Sequence, residues 1–287
     1  MDVKGTELRS GKLLAGLLGI GLLGAVFQSQ AQVVLHDANS TAIINPTSQA
    51  GMFHWDLNGV NQLQQQWFWY GIGAGPTFSI DTISAPTVTP KGANEAIISY
   101  ANAGFSVTVD YVLTGGSPIP DINNHVNGDI GESIKIVNTT TNVLPFHFYQ
   151  YSYFNINGAN SDTVQLGQNL HGLFNEADQI GPFGSLSETV VTPGANHGEV
   201  APLGATLAKL NGGGPVVLGP PFFSGPLGPG AVTWALQWDF LIGPGASAVI
   251  SKDKYLDVQV IPEPSTIALV GVIAGGWILR RRQSKTA

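Results

Sequence analysis

The chain has 287 residues, 43% of them hydrophobic, with a formal net charge of −7 and no cysteine. The absence of cysteine excludes disulfides, thiol catalysis and thiolate metal sites. Residues 32–261 contain five lysines, no arginine and 16 acidic residues, and a surface with a charge of about −11 excludes nucleic acid as a partner because it repels phosphate backbones.

The first 31 residues have the pattern of a secretory signal peptide. Three basic residues among the first twelve precede the apolar run Leu13–Phe27. Small residues lie just before the bond between Ala31 and Gln32, which is the pattern that signal peptidase cleaves. We therefore predict export, with Gln32 as the first residue of the mature chain. The alternative is an N-terminal membrane anchor that is retained.

From residue 32 to residue 259 the dominant hydrophobic period is two. The alternation is most regular in Phe105–Leu113 and Val232–Ile242, where one face of a strand can be buried while the other contacts water. Weaker segments of the same kind are Gln66–Ile72, Thr77–Ile83, Glu95–Tyr100, Glu132–Asn138, Phe146–Ile156, Ser187–Thr192, Ala246–Lys252 and Leu256–Ile261. A helical spacing is present at Val200–Leu210, and Gly212–Gly230 is predicted to be a long loop. The pattern predicts one large antiparallel β-sandwich domain over residues 32–259.

The search for catalytic and metal-binding motifs finds little. No nucleophile elbow, zinc-protease helix, phosphate-binding loop or dinucleotide fingerprint is present, and the six histidines have no zinc spacing. The segment Asp121–Glu132 has oxygen ligands at alternating positions, which partly matches a calcium loop. His125 and Val126 stand where that loop needs a ligand and a glycine. We predict a polar hairpin loop without metal, and calcium is the alternative.

Three tyrosines on one strand form a candidate ligand face. Alternation in Phe146–Phe154 places phenylalanines on one side and Tyr149, Tyr151 and Tyr153 on the other. Tyrosine rings with polar rims suit a sugar or a protein partner, and the alternative is a central strand covered on both faces.

Two carboxylates are candidates for a site that acts on sugars. Asp110 and Asp239 are each expected on the open face of their strand, where the alternative is simple solvation. A pair of carboxylates about 5–10 Å apart in a cleft favours hydrolysis, whereas a flat face without such a pair favours binding.

Two segments together resemble the strand pair of galactose mutarotase-like sandwiches. They are Val107–Thr114 and Tyr151–Ile156. The resemblance covers a small part of the chain and implies a large β-sandwich that contacts carbohydrate. In that family a histidine stands where Tyr151 stands here, so the resemblance does not imply epimerase chemistry.

The chain ends in three segments in a fixed order, namely the tripeptide Pro262, Glu263 and Pro264, the uncharged run Ser265–Leu279, and the basic cluster Arg280, Arg281 and Arg282. As a helix the run would span about 22 Å, which is marginal against a hydrocarbon core of roughly 30 Å. The arginines would stay on the cytoplasmic side. Residues 260–287 resemble the PEP-CTERM sorting tail, in which exosortase, a transpeptidase-like membrane protease, recognises the tripeptide.

Together these features predict an exported protein. A single C-terminal transmembrane helix would hold the precursor in the inner membrane before delivery to the cell surface or the extracellular polysaccharide matrix. The expected partners are signal peptidase and exosortase during export, and extracellular polysaccharide afterwards. We predict a structural or adhesive, non-enzymatic body without catalytic residues or a cofactor. The alternative is a secreted carbohydrate-binding module or carbohydrate-active enzyme.

Overall fold

The computed structural model describes Met1, residues 32–219 and residues 224–261. Residues 32–219 and 224–261 form an almost entirely β body. The predicted signal segment from Asp2 to Ala31 and the predicted sorting tail from Pro262 onward lie outside the described residues. Within the described ranges no helix is both long and apolar enough to cross a membrane. The predicted transmembrane helix at Ser265–Leu279 belongs to the part that is not described.

The body contains eighteen strands, one short α-helix and two 3₁₀ turns. In chain order the strands are β1 (Val33–Asp37), β2 (Ser40–Asn45), β3 (Gly51–Leu57), β4 (Val60–Asn61), β5 (Leu63–Ile72), β6 (Thr77–Ser79), β7 (Thr87–Pro90), β8 (Glu95–Ala101), β9 (Phe105–Gly115), β10 (His125–Asn138), β11 (Leu144–Phe154), β12 (Asp162–Gln168), β13 (Phe174–Gly181), β14 (Gly184–Thr192), β15 (His197–Pro202), β16 (Leu227–Gly230), β17 (Val232–Ile242) and β18 (Ser247–Gln259). The helix α1 is Ala205–Leu210, and the 3₁₀ turns are Ile80–Thr82 and Ile156–Gly158.

The strands form two nine-stranded sheets. The first has the order β1-β2-β3-β5-β11-β17-β15, with β4 paired to β3 and β6 paired to β5. The second has the order β16-β12-β13-β14-β18-β10-β9-β8-β7. The pairs are antiparallel except for a short parallel contact between β3 and β5. The prediction of a large antiparallel β-sandwich is therefore confirmed.

The core lies between the two sheets because alternate residues of each long strand are apolar. On β11, Phe146 and Phe148 face inward, and the ring of Phe148 stacks on Phe68 of β5 with centroids 5.3 Å apart. Aromatic pairs of this geometry contribute about 0.5–1.5 kcal/mol beyond the area they bury. The outer face of the first sheet, meaning the side away from the second sheet, carries the intervening residues of the same strands.

A glycine is required where β3 and β5 meet. Gly51 has a φ of +57°, and a Cβ atom there would lie 2.3 Å from the ring of Trp67 and 2.4 Å from the carbonyl oxygen of Gln66. Both the backbone conformation and the close approach exclude a side chain. Gly51 therefore permits the parallel contact that joins the two strands.

Two predicted segments fold differently from expectation. The helix predicted at Val200–Leu210 forms only over Ala205–Leu210, because β15 continues to Pro202. The long loop predicted at Gly212–Gly230 contains the strand β16 at its end. Residues 211–219, which follow α1, are not simply solvated, since Val216 and Leu218 are buried.

The segment considered as a calcium loop is a turn followed by a strand. Asp121 accepts hydrogen bonds at Oδ1 from the backbone N–H groups of Asn123 and His125, and β10 begins at His125. Alternation along β10 then sends Glu132 into the core, away from the turn. Glu132, the residue at the twelfth position of the segment, therefore lies apart from the oxygen atoms of the turn. No cluster of three or more acidic or histidine residues suited to a metal is present within the described ranges.

Candidate functional site

The outer face of the first sheet carries the predicted tyrosine stripe, but most of it is covered. Tyr149 is 1% exposed and Tyr151 is 0% exposed, while Tyr153 is half-buried. Helix α1 and residues 211–219, together called the cover, lie over this part of the face. The tyrosines therefore do not form an open ligand face, and the alternative of a strand covered on both sides describes Tyr149 and Tyr151.

Side chains of the sheet hold the cover in place through its backbone. The Tyr149 hydroxyl donates to the carbonyl oxygen of Val216 at 2.7 Å. The side-chain oxygen of Gln237 accepts from the N–H of Leu218 at 2.8 Å. The Trp69 indole donates to Asn211 Oδ1 at 3.0 Å. Burial raises the pKa of Tyr151 to about 12, so this phenol stays protonated at neutral pH.

A buried carboxylate, Glu199 of β15, joins the two ends of the cover. It accepts from the Thr206 hydroxyl at 2.5 Å, from the Lys209 ammonium, and from the N–H of Gly219 at 3.2 Å. Glu199 is 0% exposed, and its partners lie in α1 and at the end of the cover. The carboxylate is thus fully engaged in holding the cover and is not available to a ligand.

Beside the cover, Asp239 of β17 lies between two histidines. His147 donates from Nδ1 to Asp239 Oδ1 at 2.6 Å, and Gln237 donates to the same oxygen at 2.8 Å. His197 Nε2 lies 3.0 Å from Asp239 Oδ2. The N–H of Asp239 donates to Asn196 Oδ1 at 2.8 Å. We call Asp239, His147, His197 and Gln237 the Asp239 cluster.

Three adjacent strands bring the cluster together. His147 of β11 stands directly opposite Asp239 of β17, and His197 of β15 stands opposite Gln237. The side chains of Asp239, His147 and His197 are 30%, 30% and 38% exposed. The cluster is therefore fixed by strand register and is open to ligands.

The hydrogen bonds of the cluster keep Asp239 ionised. Desolvation raises the pKa of this carboxyl, but hydrogen bonds from His147 and Gln237 and the charges of the two imidazoles outweigh it, and the net pKa is lowered. His147 also donates from Nε2 to the carbonyl oxygen of Gly73 at 3.0 Å. Both ring nitrogens of His147 therefore face oxygen acceptors, which fixes the orientation of the imidazole beside Asp239.

His197 has the geometry of a proton-transfer group. The Nε2 atom of His197 faces Asp239. Among the described residues, none forms a hydrogen bond with the Nδ1 atom of His197. A carboxylate beside one nitrogen orients the ring and stabilises the charged form when the other nitrogen takes a proton. The cluster can therefore accept a proton from a hydroxyl group and return it.

An apolar patch adjoins the cluster on the same face. Pro145 and Leu241 stand opposite each other on β11 and β17, two residues along from His147 and Asp239. Leu241 is 78% exposed and Pro145 is also exposed. We call this pair the apolar flank.

The structure does not bring the two candidate carboxylates together. Asp239 lies on the outer face of the first sheet, whereas Asp110 lies on the outer face of the second sheet and lines a shallow depression of about 290 Å³. Burial and the neighbouring Glu95 raise the pKa of Asp110, and Lys91 partly offsets this. A paired-carboxylate hydrolase built on these two residues is therefore excluded by their placement.

The sequence fails to reveal the cluster because its histidines are far apart along the chain. His147 and His197 belong to different strands, and the last three residues of β15, Val200–Pro202, were expected to begin a helix. The one usable signal is alternation, which places His147 and Asp239 on the outer faces of two regular strands. Pairing between those strands is the missing information.

Comparison with known proteins identifies the fold. The sequence matches no protein-family model, and no curated protein is significantly similar to it. A candidate aldose 1-epimerase from Escherichia coli K12 aligns with 80% of this chain and 99% of its own, with a TM-score of 0.53 and 9% identity. A galactose mutarotase related enzyme from Lactobacillus acidophilus aligns with 80% of this chain and 100% of its own, with a TM-score of 0.52 and 8% identity.

A third solved structure is a bacterial glucoamylase complexed with acarbose, with a TM-score of 0.54 and 8% identity. The alignment covers 82% of this chain but only 32% of the glucoamylase. The prediction of a non-enzymatic body is contradicted, because its fold is one used by proteins described as carbohydrate-active enzymes. At 8–9% identity the likeness establishes the fold alone, and the body has the β-sandwich fold of galactose mutarotase-like proteins.

Proposed function

We propose that the body is an exported carbohydrate-active domain with its sugar site at the Asp239 cluster. The observation that carries the proposal is an ionised carboxylate held between two partly exposed imidazoles and next to an apolar flank. Sugars present hydroxyl groups on their rim and C–H groups on their faces, so they match a polar cluster beside an apolar surface. The galactose mutarotase-like fold supports the same assignment.

The chemistry that the cluster supports is proton transfer at a sugar hydroxyl. His197 takes the hydroxyl proton at Nδ1, and Asp239 stabilises the resulting imidazolium through the other nitrogen. Interconversion of the anomers of a reducing sugar is a reaction of this class. There His197 takes the proton of the C1 hydroxyl as the C1–O5 bond breaks, and the same ring delivers that proton to O5. After rotation about C1–C2 the reverse steps close the other anomer and leave the site unchanged.

Replacing Asp239 with asparagine is expected to weaken sugar binding by about 10- to 100-fold, because hydrogen bonds to a charged group contribute about 1.5–3 kcal/mol. Isothermal titration calorimetry with a panel of gluco-, galacto- and manno-oligosaccharides measures this effect. Exchange NMR on the anomers of each bound sugar measures the proton-transfer activity.

The matched control is Asp178→Asn on β13 of the second sheet, which should bind like the unmodified protein. Equal loss in both variants would show that Asp239 has no special role. Absence of binding to every oligosaccharide, neutral or acidic, would refute the proposal itself.

We further propose that the chain reaches the cell surface or extracellular polysaccharide matrix through its two terminal signals. Support comes from the position of the folded body, since β1 begins at Val33 and β18 ends at Gln259, next to the predicted signal-cleavage bond and the sorting tripeptide. Signal peptidase and exosortase are the proposed processing partners.

Intact-mass spectrometry of protein from the envelope and medium of its host is expected to give a chain that starts at Gln32 and ends near Pro264. A chain that keeps Arg280, Arg281 and Arg282 would instead be a membrane-anchored protein, and the proposal of exosortase processing would fail. A chain that begins at Met1 would contradict cleavage by signal peptidase.

A further inference from the structure

Lys252 of β18 and Glu132 of β10 stand directly opposite each other on neighbouring strands of the second sheet. Both side chains point into the core and are fully buried, and Lys252 Nζ donates to Glu132 Oε2. The ring of Phe68 from the first sheet lies over the ammonium, with its centroid 5.3 Å from Nζ. Strand register thus holds an amine nitrogen against a carboxyl group in a site away from bulk water.

The buried site favours the uncharged forms of this pair. Burial, together with the adjacent Lys254, lowers the pKa of Lys252 well below its ordinary value. Transfer of one proton from Nζ to Oε2 turns the ion pair into an amine and a carboxyl group, which removes two charges from a medium that solvates them poorly. Because a neutral amine is a nucleophile, Lys252 then meets the requirement for attack on the carboxyl carbon of Glu132.

Two neighbouring groups stabilise the other carboxyl oxygen of Glu132, Oε1. Gln66 of β5 donates to it at 2.6 Å, and the Lys254 ammonium lies 3.0 Å from it. Negative charge develops on this oxygen when a nucleophile adds to the carboxyl carbon, so the two donors act as an oxyanion hole. Oε2, which carries the proton from Lys252, is then the oxygen that leaves.

A second carboxylate, Glu188 of β14, is placed to move a proton. Its Oε1 atom lies 3.9 Å from Lys252 Nζ. Among the described residues, this oxygen has no hydrogen-bond partner. A carboxylate beside an attacking amine can take a proton from the nitrogen and pass it to the leaving oxygen. Glu188 therefore supplies the proton carrier that amide formation needs.

We infer that Lys252 and Glu132 condense to an isopeptide bond that links β18 to β10 in the folded protein. Nζ adds to Cδ of Glu132, Glu188 carries the second proton from Nζ to Oε2, and the Cδ–Oε2 bond breaks to release one water molecule. The reaction consumes no oxidant, reductant or other reactant. The reacted site keeps Glu188 and Lys254, 3.3 Å apart, as a balanced ion pair. Chains that have not reacted keep the ion pair of Lys252 with Glu132.

The bond would give this chain a covalent constraint of a kind that its composition otherwise lacks. The chain contains no cysteine, so it has no disulfide with which to fix its strands. Lys252 and Glu132 are 120 positions apart. A link between them restricts the unfolded chain in the way that a disulfide does. The inference concerns the core and does not depend on the Asp239 cluster.

Peptide mapping of the purified full-length protein tests the bond directly. The intact chain is expected to be lighter, by one water molecule, than the sequence between its observed termini. Trypsin should release residues 92–135 joined to residues 210–254, because it does not cleave after a lysine in amide linkage. Free peptides 92–135 and 210–252 from a folded chain would overturn the inference. A link from 92–135 to a peptide beginning at residue 253 would also overturn it, because the bond would then lie on Lys254.

Two variants test the roles assigned to the amine and to the proton carrier. Lys252→Met should have the full sequence mass and give no joined peptide. Glu188→Gln should lower the joined fraction at least tenfold after equal incubation, since general acid–base catalysis contributes about 10²- to 10⁴-fold. The matched control is Glu176→Gln, which removes an exposed carboxylate from β13 of the same sheet and should react like the unmodified protein.

Circular dichroism checks that each variant folds. Equal joined fractions in folded Glu188→Gln and Glu176→Gln would overturn the reaction path through Glu188. A joined peptide in Lys252→Met would show that another lysine reacts and would overturn the inference. If Glu188→Gln does not fold, the joined peptide of the unmodified protein decides the outcome alone.

Discussion

Replacing Lys252 with methionine is expected to lower the free energy of unfolding by about 3–5 kcal/mol, because it leaves a buried carboxylate without its partner. Lys252 and Lys254 of β18 face Glu132 of β10 and Glu188 of β14 in the middle of the core. All four side chains are 0% exposed. Two cations and two anions therefore balance inside the sandwich.

The contacts of this network explain the size of the effect. Lys252 is hydrogen-bonded to Glu132, while Lys254 lies 3.0 Å from Glu132 and 3.3 Å from Glu188. From the first sheet, Gln66 donates to Glu132 and Gln150 donates to Glu188, each at 2.6 Å. Glu132 thus receives charge-assisted hydrogen bonds from both sheets, whereas Glu188 receives one from the first sheet. Removal of one ammonium leaves an excess negative charge out of reach of water.

The surroundings of Lys252 disfavour the charged form of its ammonium group. Burial lowers its pKa well below the ordinary value, and the adjacent Lys254 lowers it further. The facing carboxylates and the ring of Phe68, whose centroid is 5.3 Å from Nζ, provide the compensating attraction. Loss of either the ammonium or the facing carboxylates is therefore expected to lower the free energy of unfolding.

Urea unfolding followed by tryptophan fluorescence measures the loss, since five tryptophans are fully buried. Lys135→Met is the control, because Lys135 is exposed on the same strand as Glu132 and its removal should change stability by less than about 0.5 kcal/mol. The double variant Lys252→Met with Glu132→Gln should recover part of the loss, because it restores charge balance. If Lys252→Met lowers the free energy of unfolding by less than about 1 kcal/mol, Glu132 does not depend on Lys252 as its charge partner.

The same network explains where strand prediction from the sequence fails. β18 was expected as two strands, Ala246–Lys252 and Leu256–Ile261, and β10 was expected to begin only at Glu132. On β18 the ammonium of Lys254 interrupts the apolar alternation of the inner face between the two predicted segments, and on β10 the residues before Glu132 include Gly128, Asp129 and Gly131. The structure shows that Lys252, Lys254 and Glu132 continue the inward pattern as buried partners. Their pairing partners lie far away in the sequence, so alternation alone could not reveal them.

Strands with an uninterrupted apolar face were predicted well. Val232–Ile242 was predicted with the bounds of β17, and Phe105–Leu113 lies within β9. β1, β2 and β3 were missed, because their short segments mix polar, histidine and apolar residues. The prediction therefore depended on a long run of alternation, which β9 and β17 have over 11 residues each and which β1 and β2 show over only five and six residues.

The candidate site was predictable only in part for a related reason. Alternation placed His147 and Asp239 on outer faces, but their direct opposition depends on the pairing of β11 with β17. The tyrosine stripe was left as a candidate ligand face, with a strand covered on both sides as the alternative, because nothing in the sequence shows that residues 211–219 fold back over it. The contacts that hold this cover are non-local, as Glu199 and Tyr149 illustrate.

Replacing Glu199 with alanine is expected to lower the free energy of unfolding by about 3 kcal/mol and to loosen the cover. The substitution leaves the Thr206 hydroxyl and the N–H of Gly219 without their acceptor and the Lys209 ammonium without its charge partner. Because these partners lie at both ends of the cover, their loss should release it as a unit. Urea unfolding measures the stability, and hydrogen exchange of residues 205–219 measures the local opening.

Comparison of three variants separates this role from a general loss of charge. Glu199→Gln keeps an oxygen acceptor and should cost only about 1 kcal/mol, with slower exchange than the alanine variant. Glu176→Ala removes an exposed carboxylate from β13 and should change neither stability nor exchange in the cover. Because Glu199 is committed to the cover while Asp239 remains open beside it, loss of Glu199 should expose the buried tyrosines without removing the carboxylate that faces the ligand. Unchanged exchange in residues 205–219 of Glu199→Ala would show that the remaining contacts, such as Tyr149 with Val216, suffice to hold the cover.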